Sequence, residues 1–215
     1  MSTLAYLKSF FKDKDVASVT PTSRFCVRTV CRPIDFSKDI TVVEYGAGAG
    51  VFSHYLLDHM TANSQLHLFE TNEILFEKLQ QINDARTMFY DQSVEYVTEL
   101  LPEDIIGQVD FIISGIPFSF LDAGVKSSIL DQSYKLLRDG GAFLAYQTSG
   151  HLEEPLQETF GNVKTSWEWR NIPPMTVYEA VKEEVSRTAL IGCHIFGIKK
   201  PFHPHLRDRM ALLFF

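Results

Sequence analysis

Val42-Val43-Glu44-Tyr45-Gly46-Ala47-Gly48-Ala49-Gly50 is the stretch of this 215-residue sequence that decides the fold. A β-rich apolar run over residues 40–45 ends in three glycines at alternate positions, and a helical pattern over residues 51–60 follows. Glycine tolerates positive φ and lets a ligand approach a backbone that a Cβ would shield. The stretch therefore predicts a strand, a tight glycine loop and a helix whose N-terminus faces a ligand.

Strand-like and helix-like segments continue to alternate after this loop. Further strands are predicted at residues 66–69, 87–90, 109–114 and 142–147, and helices at residues 74–81 and 125–137. Such alternation predicts parallel strands joined by right-handed crossovers. Two more strand-like runs, at 163–169 and 176–181, flank Pro173-Pro174 with no helix between them. We therefore expect an α/β, Rossmann-like fold whose mostly parallel seven-stranded sheet closes with a C-terminal antiparallel hairpin.

The two ends of the chain depart from this alternation. Residues 1–35 are predicted to form an N-terminal helical segment, with one helix over 4–11 and a second that begins near residues 20–23 and stops before Pro33. The apolar face and lysines of the first helix predict either a reversible membrane anchor or a cover for the ligand site. Residues 36–184 are the predicted Rossmann-like domain, and residues 185–215 are a C-terminal extension of unknown role.

Composition and charge narrow the classes of function. Hydrophobic residues make up 45% of the chain and the formal net charge is −7, which indicates a globular core and disfavours nucleic acid as a partner. Cys26, Cys31 and Cys193 form no CxxC pair, so we expect buried thiols in a reducing cytoplasm. No apolar run approaches the roughly 18 residues that span a bilayer, and no signal peptide is expected. The histidines show no metal-ligand spacing, so no metal site is predicted.

Acidic residues stand at the ends of the first three predicted strands. Glu44 precedes the glycine loop, Glu70 follows the second strand, and Asp91 with Gln92 follows the third. A carboxylate at the end of the second strand can accept hydrogen bonds from both ribose hydroxyls of a nucleoside. The spacing G-x-G-x-G differs from the dinucleotide fingerprint G-x-G-x-x-G, and a carboxylate at position 44 would repel a pyrophosphate. These residues indicate a nucleoside ligand with a cationic amino-acid end.

With these features the chain resembles the class I S-adenosylmethionine-dependent methyltransferases. The resemblance rests on residues 42–50, on Asp91, on Asp110-Phe111-Ile112-Ile113-Ser114-Gly115-Ile116-Pro117-Phe118 and on Leu136-Leu137-Arg138-Asp139-Gly140-Gly141-Ala142-Phe143. It implies the class I methyltransferase fold, with S-adenosylmethionine as the cofactor. It also implies cofactor contacts at Glu44 near the methionine moiety, at Gly46, Gly48 and Gly50 in the loop, at Glu70 on the ribose, and at Asp91 and Gln92 beside the adenine.

Three segments make the chain similar to the bacterial phospholipid N-methyltransferases. They are Lys14-Asp15-Val16-Ala17-Ser18-Val19-Thr20-Pro21-Thr22-Ser23-Arg24, Ser114-Gly115-Ile116-Pro117-Phe118 and Trp169-Arg170-Asn171-Ile172-Pro173-Pro174-Met175-Thr176-Val177-Tyr178. That family methylates phosphatidylethanolamine stepwise to phosphatidylcholine, and its members are cytosolic proteins that touch the membrane surface. The resemblance implies an amine-lipid or small-amine substrate and a cytoplasmic protein with peripheral contact to the inner face of the membrane. It does not extend past Tyr178.

Two alternatives stay open from the sequence. The ribosomal RNA adenine N6-dimethyltransferases share the catalytic core, but they carry Asn where this chain has Ser114, and their basic helical C-terminal domain has no counterpart in residues 185–215. The second alternative is a protein that binds the cofactor without catalysis. The joint presence of Glu44, Glu70 and Asp91 argues against a decayed site. The oligomeric state and the number of methyl groups transferred are left open.

The catalytic candidates are Tyr45, Ser114, Pro117 and Phe118. An ethanolamine-like ammonium has a pKa near about 10, so exposing its lone pair at pH 7 requires a group that accepts the proton or favours the neutral amine. Tyr45, Ser114 and the backbone carbonyls near Gly115 are the candidates for that role, and the sequence does not choose among them.

The substrate-binding candidates are two arginines and two aromatic residues. Arg24 and Arg170 are candidates for binding a lipid phosphate, because a guanidinium can hold it with two parallel hydrogen bonds, and an ordinary surface position is an equal alternative for either arginine. Trp169 and Tyr178 are expected to hold a methylated ammonium through cation–π contact. Plain core packing is an equal alternative for each aromatic residue.

Overall fold

The structure is a computed structural model and describes residues 22–183. It contains one sheet of seven strands: β1 (Thr41–Tyr45), β2 (Gln65–Phe69), β3 (Thr87–Tyr90), β4 (Val109–Ser114), β5 (Leu137–Gln147), β6 (Val163–Glu168) and β7 (Met175–Val181). The strand order is β3-β2-β1-β4-β5-β7-β6. Strands β1 to β5 are parallel, and β7 runs antiparallel to both of its neighbours. The mostly parallel sheet and the antiparallel C-terminal hairpin predicted from the sequence are thus confirmed.

Helices cover both faces of the sheet. They are α1 (Arg24–Val30), α2 (Val51–His59), α3 (Glu73–Leu79), α4 (Val97–Leu100), α5 (Ala123–Leu136) and α6 (Glu153–Phe160). Short 3₁₀ turns span Val94–Tyr96, Glu103–Ile105 and Phe118–Phe120. Ser23 caps α1, since its hydroxyl accepts a hydrogen bond from the Cys26 backbone N–H at 3.2 Å. The helix begins at Arg24 and ends at Val30, ahead of Pro33 as predicted.

Alternate strand residues enter two separate apolar clusters, because successive side chains of a strand point to opposite faces. Val43 and Tyr45 belong to the cluster beneath α5 and α6. Val42 belongs to the cluster that also contains the buried side chains of α1 and α2. Each face of the sheet is therefore covered by its own set of helices, with α4 also contributing to the first cluster and α3 to the second. The carboxyl edge of the sheet is left for a site.

The register of the strands brings three loops together at that edge. Tyr45, the last residue of β1, pairs with Phe69 at the end of β2 and with Ser114 at the end of β4. The Gly46 and Ala47 N–H groups donate to the Phe69 carbonyl at 2.9 and 3.0 Å, and the Gly115 N–H donates to the Tyr45 carbonyl at 2.9 Å. The glycine loop is thus tied by its backbone to the loops on both sides.

Three elements differ from the sequence-based expectation, the first being the four-residue helix α4, which was not predicted. The helix α6 was not predicted, because only three of its eight residues are buried. Strand β5 begins at Leu137 instead of residue 142. The pair Gly140-Gly141 suggested a turn, but the Gly140 N–H bonds the Lys182 carbonyl at 2.8 Å, and a Cβ at Gly141 would meet three backbone oxygens at 3.0 Å. The two glycines therefore lie within the strand, where close backbone approach requires Gly141 and a φ of 75° favours glycine at position 140.

The predicted helix over residues 4–11 and the extension over 185–215 lie outside the described residues. The boundaries at 35/36 and 184/185 therefore stay predictions. Cys26, Val27 and Val30 of α1 are buried in the same cluster as Val42 of β1, so the described part of the N-terminal segment shares the core of the sheet. None of the helices within residues 22–183 combines the length and the apolar composition that crossing a bilayer requires.

Candidate active site

A cleft opens at the carboxyl edge of the sheet, where the loops after β1 to β4 converge. Its walls come from the glycine loop, the end of β2 with the start of α3, the segment after β3, the turn after β4, and two apolar positions in and before α5. The lining residues are Gly46, Gly48, Phe69, Glu70, Thr71, Leu75, Gln92, Ser93, Val94, Glu95, Gly115, Ile116, Pro117, Leu121 and Ile129. This is the position at which open α/β sheets bind their ligands.

The glycine loop is shaped so that its backbone faces the cleft. Gly46, Gly48 and Gly50 all have positive φ, at 70°, 58° and 83°. A Cβ at Gly46 would come within 3.0 Å of the Ile116 side chain, whereas a Cβ at Gly48 would meet no atom within 4 Å and would fill the space in front of the loop. Gly50 does not line the cleft and serves as the left-handed N-cap of α2. The loop therefore forms a cradle that is open only while position 48 has no side chain.

Glu70 joins the cleft to the glycine loop. One carboxylate oxygen accepts the Gly48 N–H and the other accepts the Asn72 N–H, both at 2.8 Å. The side chain is only 6% exposed, and burial raises its pKa above the usual value. A carboxylate offers about four lone-pair positions. Glu70 therefore keeps acceptor capacity in the cleft, and its contact with a ribose stays a prediction.

Glu44 occupies a buried place next to α2 and does not line the cleft. It accepts a hydrogen bond from the Ser53 hydroxyl at 2.7 Å. Burial raises the pKa of Glu44 to about 8, a shift that the Ser53 hydrogen bond opposes and the negative charge of Glu70 assists. The expected contact between Glu44 and a ligand's amino-acid end stays a prediction.

The charged side chains in the wall of the cleft, as formed by the described residues, are all acidic. Glu70 and Glu95 line it, and Lys, Arg and His are absent from the lining formed by the described residues. Gln92 lies in the wall as expected, together with Ser93 and Val94, whereas the side chain of Asp91 is exposed and outside the lining. A cleft with two carboxylates and no cation favours a positively charged ligand and disfavours a pyrophosphate.

The turn after β4 is held by two residues that sequence reasoning missed. A Cβ at Gly115 would overlap the Tyr146 hydroxyl, so this glycine is required by close approach. The Tyr146 ring stacks on Phe52 at 4.8 Å, and its hydroxyl is hydrogen-bonded to Thr22. The Gln147 side-chain N–H donates to the Ile116 carbonyl at 2.8 Å. Both residues come from the end of β5, and no local pattern links them to a turn 30 residues earlier.

Of the catalytic candidates, only Pro117 lines the cleft. Tyr45 is fully buried, its hydroxyl lies 3.1 Å from the Ser133 hydroxyl of α5, and burial raises its pKa. Phe118 is also buried and packs edge-on against Phe143. Both residues therefore pack in the core. Tyr45 lies on the face of β1 that points into the core, and Phe118 is directed there by the 3₁₀ turn after β4. This geometry gives Tyr45 no route to a proton in the cleft.

Ser114 is a different case. Its hydroxyl is completely buried and has no hydrogen-bond partner within residues 22–183. An unpaired buried hydroxyl costs folding free energy, on the order of 1 to 3 kcal/mol. Ser114 directly precedes Gly115 in the wall of the cleft but does not itself line the cleft, so its contact with a substrate stays a prediction.

The substrate-binding candidates do not line the cleft. Tyr178 is buried and donates to the Ser149 carbonyl at 3.2 Å, which makes it a core residue. Arg170 holds Glu168 through two side-chain hydrogen bonds of 2.8 and 2.7 Å. Arg24 and Trp169 are exposed. Three of the four candidates thus lie at the surface beside the start of α1 and the loop after β6, and not around a bound head group in the cleft.

Metal-binding geometry is absent from the described residues, where no three His, Cys, Asp or Glu side chains come together in a way that could hold an ion. Cys26 and Cys31 are both buried thiols, and burial raises the pKa of Cys26 to about 12. Neither is a candidate nucleophile.

The fold is that of the class I methyltransferases, which confirms the resemblance predicted from the sequence. The N-methyltransferase NodS from Bradyrhizobium japonicum, solved in complex with S-adenosyl-L-homocysteine, superposes with a TM-score of 0.63 at 14% identity and covers 86% of this chain and 100% of its own. No protein-family model matches the chain.

In sequence, the chain is similar to a lipid-modifying enzyme. It is 26% identical over 184 residues to the ornithine lipid N-methyltransferase of Singulisphaera acidiphila, across 83% of this chain and 96% of that protein. It is also 27% identical over 138 residues to the ribosomal protein L11 methyltransferase of Bacillus licheniformis, but the match spans only 64% of this chain and 40% of that protein.

Proposed function

We propose that this protein is an S-adenosylmethionine-dependent N-methyltransferase whose acceptor is the amine of a lipid head group. The enzyme class is supported by the methyltransferase fold and by the similarity to an N-methyltransferase over most of both chains. The lipid acceptor is supported by the name of that relative and by the sequence resemblance to phospholipid N-methyltransferases. Methylation of RNA or of a ribosomal protein is the competing outcome that the experiment below tests.

The observation that carries the proposal is the charge of the cleft. S-adenosylmethionine bears a sulfonium and an ammonium group, and an amine head group is itself cationic before it reacts. Two carboxylates, Glu70 and Glu95, line the cleft with no cation beside them in the described chain. The cradle in front of Gly48 supplies the space for a nucleoside. A dinucleotide would bring its pyrophosphate against the same carboxylates, which disfavours it.

Each wall of the cleft has a task in this proposal. Glu70 would hold the ribose, the backbone at Gly46 and Gly48 would hold the amino-acid end, and Gln92 with Val94 would face the adenine. When bound, the cofactor supplies an electrophilic methyl group on a good leaving group, so the protein mainly has to align the acceptor. The turn at Gly115–Pro117 is the wall available for the acceptor amine.

The amine must lose a proton before it can attack. Exposing its lone pair at pH 7 costs roughly 4 kcal/mol for a pKa near about 10. Tyr45 is buried against Ser133, and the Ser114 hydroxyl is equally buried and outside the cleft lining. The backbone carbonyl of Gly115 is therefore the candidate to accept a hydrogen bond from the amine, whose proton passes to solvent before the methyl transfer. The site is proposed to work at the cytoplasmic face of a membrane, where amine lipids present their head groups.

The test of the acceptor is incubation of the full chain with methyl-labelled S-adenosylmethionine and separate pools of amine lipids in detergent micelles, water-soluble amines, ribosomal RNA and ribosomal proteins. We expect label in the lipid pool, with phosphatidylethanolamine and ornithine lipid assayed separately. Label in RNA or in ribosomal protein instead would overturn the proposal.

The test of the cofactor site is Glu70→Gln, which keeps the size of the side chain and removes its charge. Loss of a charge-assisted acceptor for two hydroxyls should weaken S-adenosylmethionine binding by about 1.5 to 3 kcal/mol, measured by isothermal titration. Glu73→Gln is the matched control, because Glu73 is an exposed glutamate outside the cleft. The affinity of the Glu73→Gln protein for S-adenosylmethionine should equal that of the wild type. Equal affinity of the wild type and a folded Glu70→Gln protein would refute the assignment.

A further inference from the structure

Strand β6 forms one end of the sheet, and in the described part of the chain it pairs with β7 alone. Opposite residues of an antiparallel pair exchange backbone hydrogen bonds only at every second position. The Val181 N–H bonds the carbonyl of the residue opposite, Asn162, at 3.2 Å, and this bond fixes which positions of β6 face β7. The backbone N–H and C=O groups of Val163, Thr165 and Trp167 therefore point away from β7, toward the outer edge of β6.

This outer edge is unprotected in the described part of the chain. Native proteins usually guard an open edge with prolines, bulges, outward charges or very short strands. Strand β6 is six residues long, contains no proline and keeps its register with β7 without a bulge. The ammonium of Lys164 lies 3.1 Å from the Glu179 carboxylate of β7, so it is turned inward along the sheet and not outward. An open edge of this kind is a template for another strand.

The three residues whose backbone groups are open also share one face of the sheet. Val163, Thr165 and Trp167 lie opposite residues of β7 that include Tyr178, a member of the apolar cluster beneath α5 and α6. Val163 packs against this cluster, whereas Thr165 is exposed and Trp167 is 51% exposed. The Trp167 indole stacks on that of Trp169, which is 70% exposed. Exposed apolar surface and open hydrogen-bonding groups therefore coincide at the outer edge.

We infer that β6 pairs antiparallel with β6 of a second copy of this chain, with Thr165 on the two-fold axis. In this register Thr165 faces Thr165 of the second copy, and Trp167 faces Val163 on either side of the axis. Thr–Thr and aromatic–β-branched pairs are combinations that stabilise an antiparallel ladder. The backbone groups that β7 leaves open are the ones that form the new hydrogen bonds. The result is a closed dimer in which both copies use the same surface.

The pattern of side chains selects a second copy as the partner, because the outer edge is complementary to itself. Each exposed Trp167 is covered by the Val163 side of the other copy. On the opposite face Lys164 lies opposite Ser166 of the second copy, so like charges do not stand directly opposite each other. The contact is small, at the lower end of stable protein interfaces, so we expect a reversible dimer at micromolar concentrations.

The inference goes beyond the proposed function and does not depend on it. The cleft is formed by the loops after β1 to β4, and β5 and β7 separate these strands from β6. Pairing through β6 therefore leaves both clefts open.

The first test is sedimentation of the full chain at concentrations from about 1 to about 100 µM. The average mass should rise from 24.5 kDa toward that of a dimer as the concentration increases. A mass that stays at that of the monomer across the whole range would overturn the inference.

Hydrogen exchange at single residues tests which surface is used. The amides of Val163, Thr165 and Trp167 should exchange quickly in dilute protein and slowly in concentrated protein, because their partner is the second copy. The amides of Lys164 and Ser166 bond β7 and should be protected at both concentrations. Protection of all five amides at every concentration would mean that another segment of the chain covers the outer edge, and would contradict self-pairing.

A pair of charged variants tests the two-fold axis. Thr165→Lys places two lysines opposite each other in the dimer, and Thr165→Glu places two glutamates there, so each should raise the dissociation constant by about tenfold. An equal mixture of the two variants places Lys opposite Glu and should dimerise at concentrations at which neither variant does alone. A loss of folding would not produce this recovery.

Gln65→Lys is the matched control, because it adds the same charge at an exposed position of β2, an interior strand. Its dissociation constant should equal that of the wild type. Dimers that resist both substitutions at Thr165, or a mixture that stays monomeric, would overturn the inferred register.

Discussion

At the residue scale, two buried ionisable groups of the sheet have strongly shifted pKa values. Glu44 is 3% exposed, and burial raises its pKa to about 8 although it accepts a hydrogen bond from the Ser53 hydroxyl. His67, 1% exposed, has a pKa lowered by burial to about 4. The first group favours the folded state at low pH, and the second favours it at high pH. Because the two pH dependences have opposite signs, the free energy of unfolding of the wild type, measured alone against pH, would not reveal either contribution.

A comparison with Glu44→Gln isolates the first group. In the wild type the stability contributed by protonated Glu44 is fully present below its unfolded pKa, near pH 4.5, and is lost as the pH rises toward about 8. The free energy of unfolding of the wild type should therefore fall relative to that of Glu44→Gln by up to about 1.4 kcal/mol per pH unit in this window. Urea denaturation of both proteins across the window measures the difference. His67 is present in both and cancels; a pH-independent difference would show that Glu44 is already ionised.

At the scale of secondary-structure elements, the turn after β4 takes its shape from its contacts with β5. Gly115 can approach β5 because it lacks a side chain, and Tyr146 fills the space that results. Gln147 holds the next carbonyl of the turn. The shape of the proposed acceptor wall is thus decided by a pair of strands, β4 and β5, and not by the turn alone.

Gly115→Ala should therefore disturb both folding and the site. Its Cβ would overlap the Tyr146 hydroxyl and lie 3.0 Å from the ring carbon that carries it, so the free energy of unfolding should fall by about 1 to 3 kcal/mol. In the background of Tyr146→Phe the overlapping oxygen is gone, and the cost of Gly115→Ala should be smaller. A double-mutant cycle by urea denaturation measures this coupling. Additive effects would contradict the close approach.

At the scale of the whole molecule, the glycine loop, the end of β2 and the turn after β4 meet only when the sheet is formed. A ligand that contacts all three stabilises the folded state by mass action. At 100 times its dissociation constant, S-adenosylmethionine should add about 2.7 kcal/mol, which raises the melting temperature by roughly 5 to 10 °C for a domain of this size. S-adenosyl-L-homocysteine should act in the same direction.

A nicotinamide dinucleotide is the control in the same thermal-shift measurement. Its pyrophosphate would face the two carboxylates of the cleft, so no rise of the melting temperature is expected. A rise with the dinucleotide and none with S-adenosylmethionine would contradict the proposed class of ligand.

The local sequence pattern was sufficient to predict most of the strands and the glycine loop. Strands β3 and β4 begin and end where the sequence predicts, because short apolar runs between turn signals have few other options in a chain of this composition. The glycine loop was predicted from three residues whose positive φ is a local requirement. Glu70 and Gln92 were placed in the cleft because parallel strands bring their carboxyl ends to one edge.

The content of the site depended on contacts between distant residues. Tyr45 and Tyr178 carry groups suited to chemistry, but the register of the sheet turns both into the core. The sequence around Tyr146 and Gln147 does not indicate their role in the site, because their partners lie in the turn after β4, about 30 residues earlier in the chain. The sequence by itself determined the class of fold and the loop that would hold the ligand. Only the tertiary structure decided which side chains face the cleft, because that depends on strand register and loop path, which local periodicity does not encode.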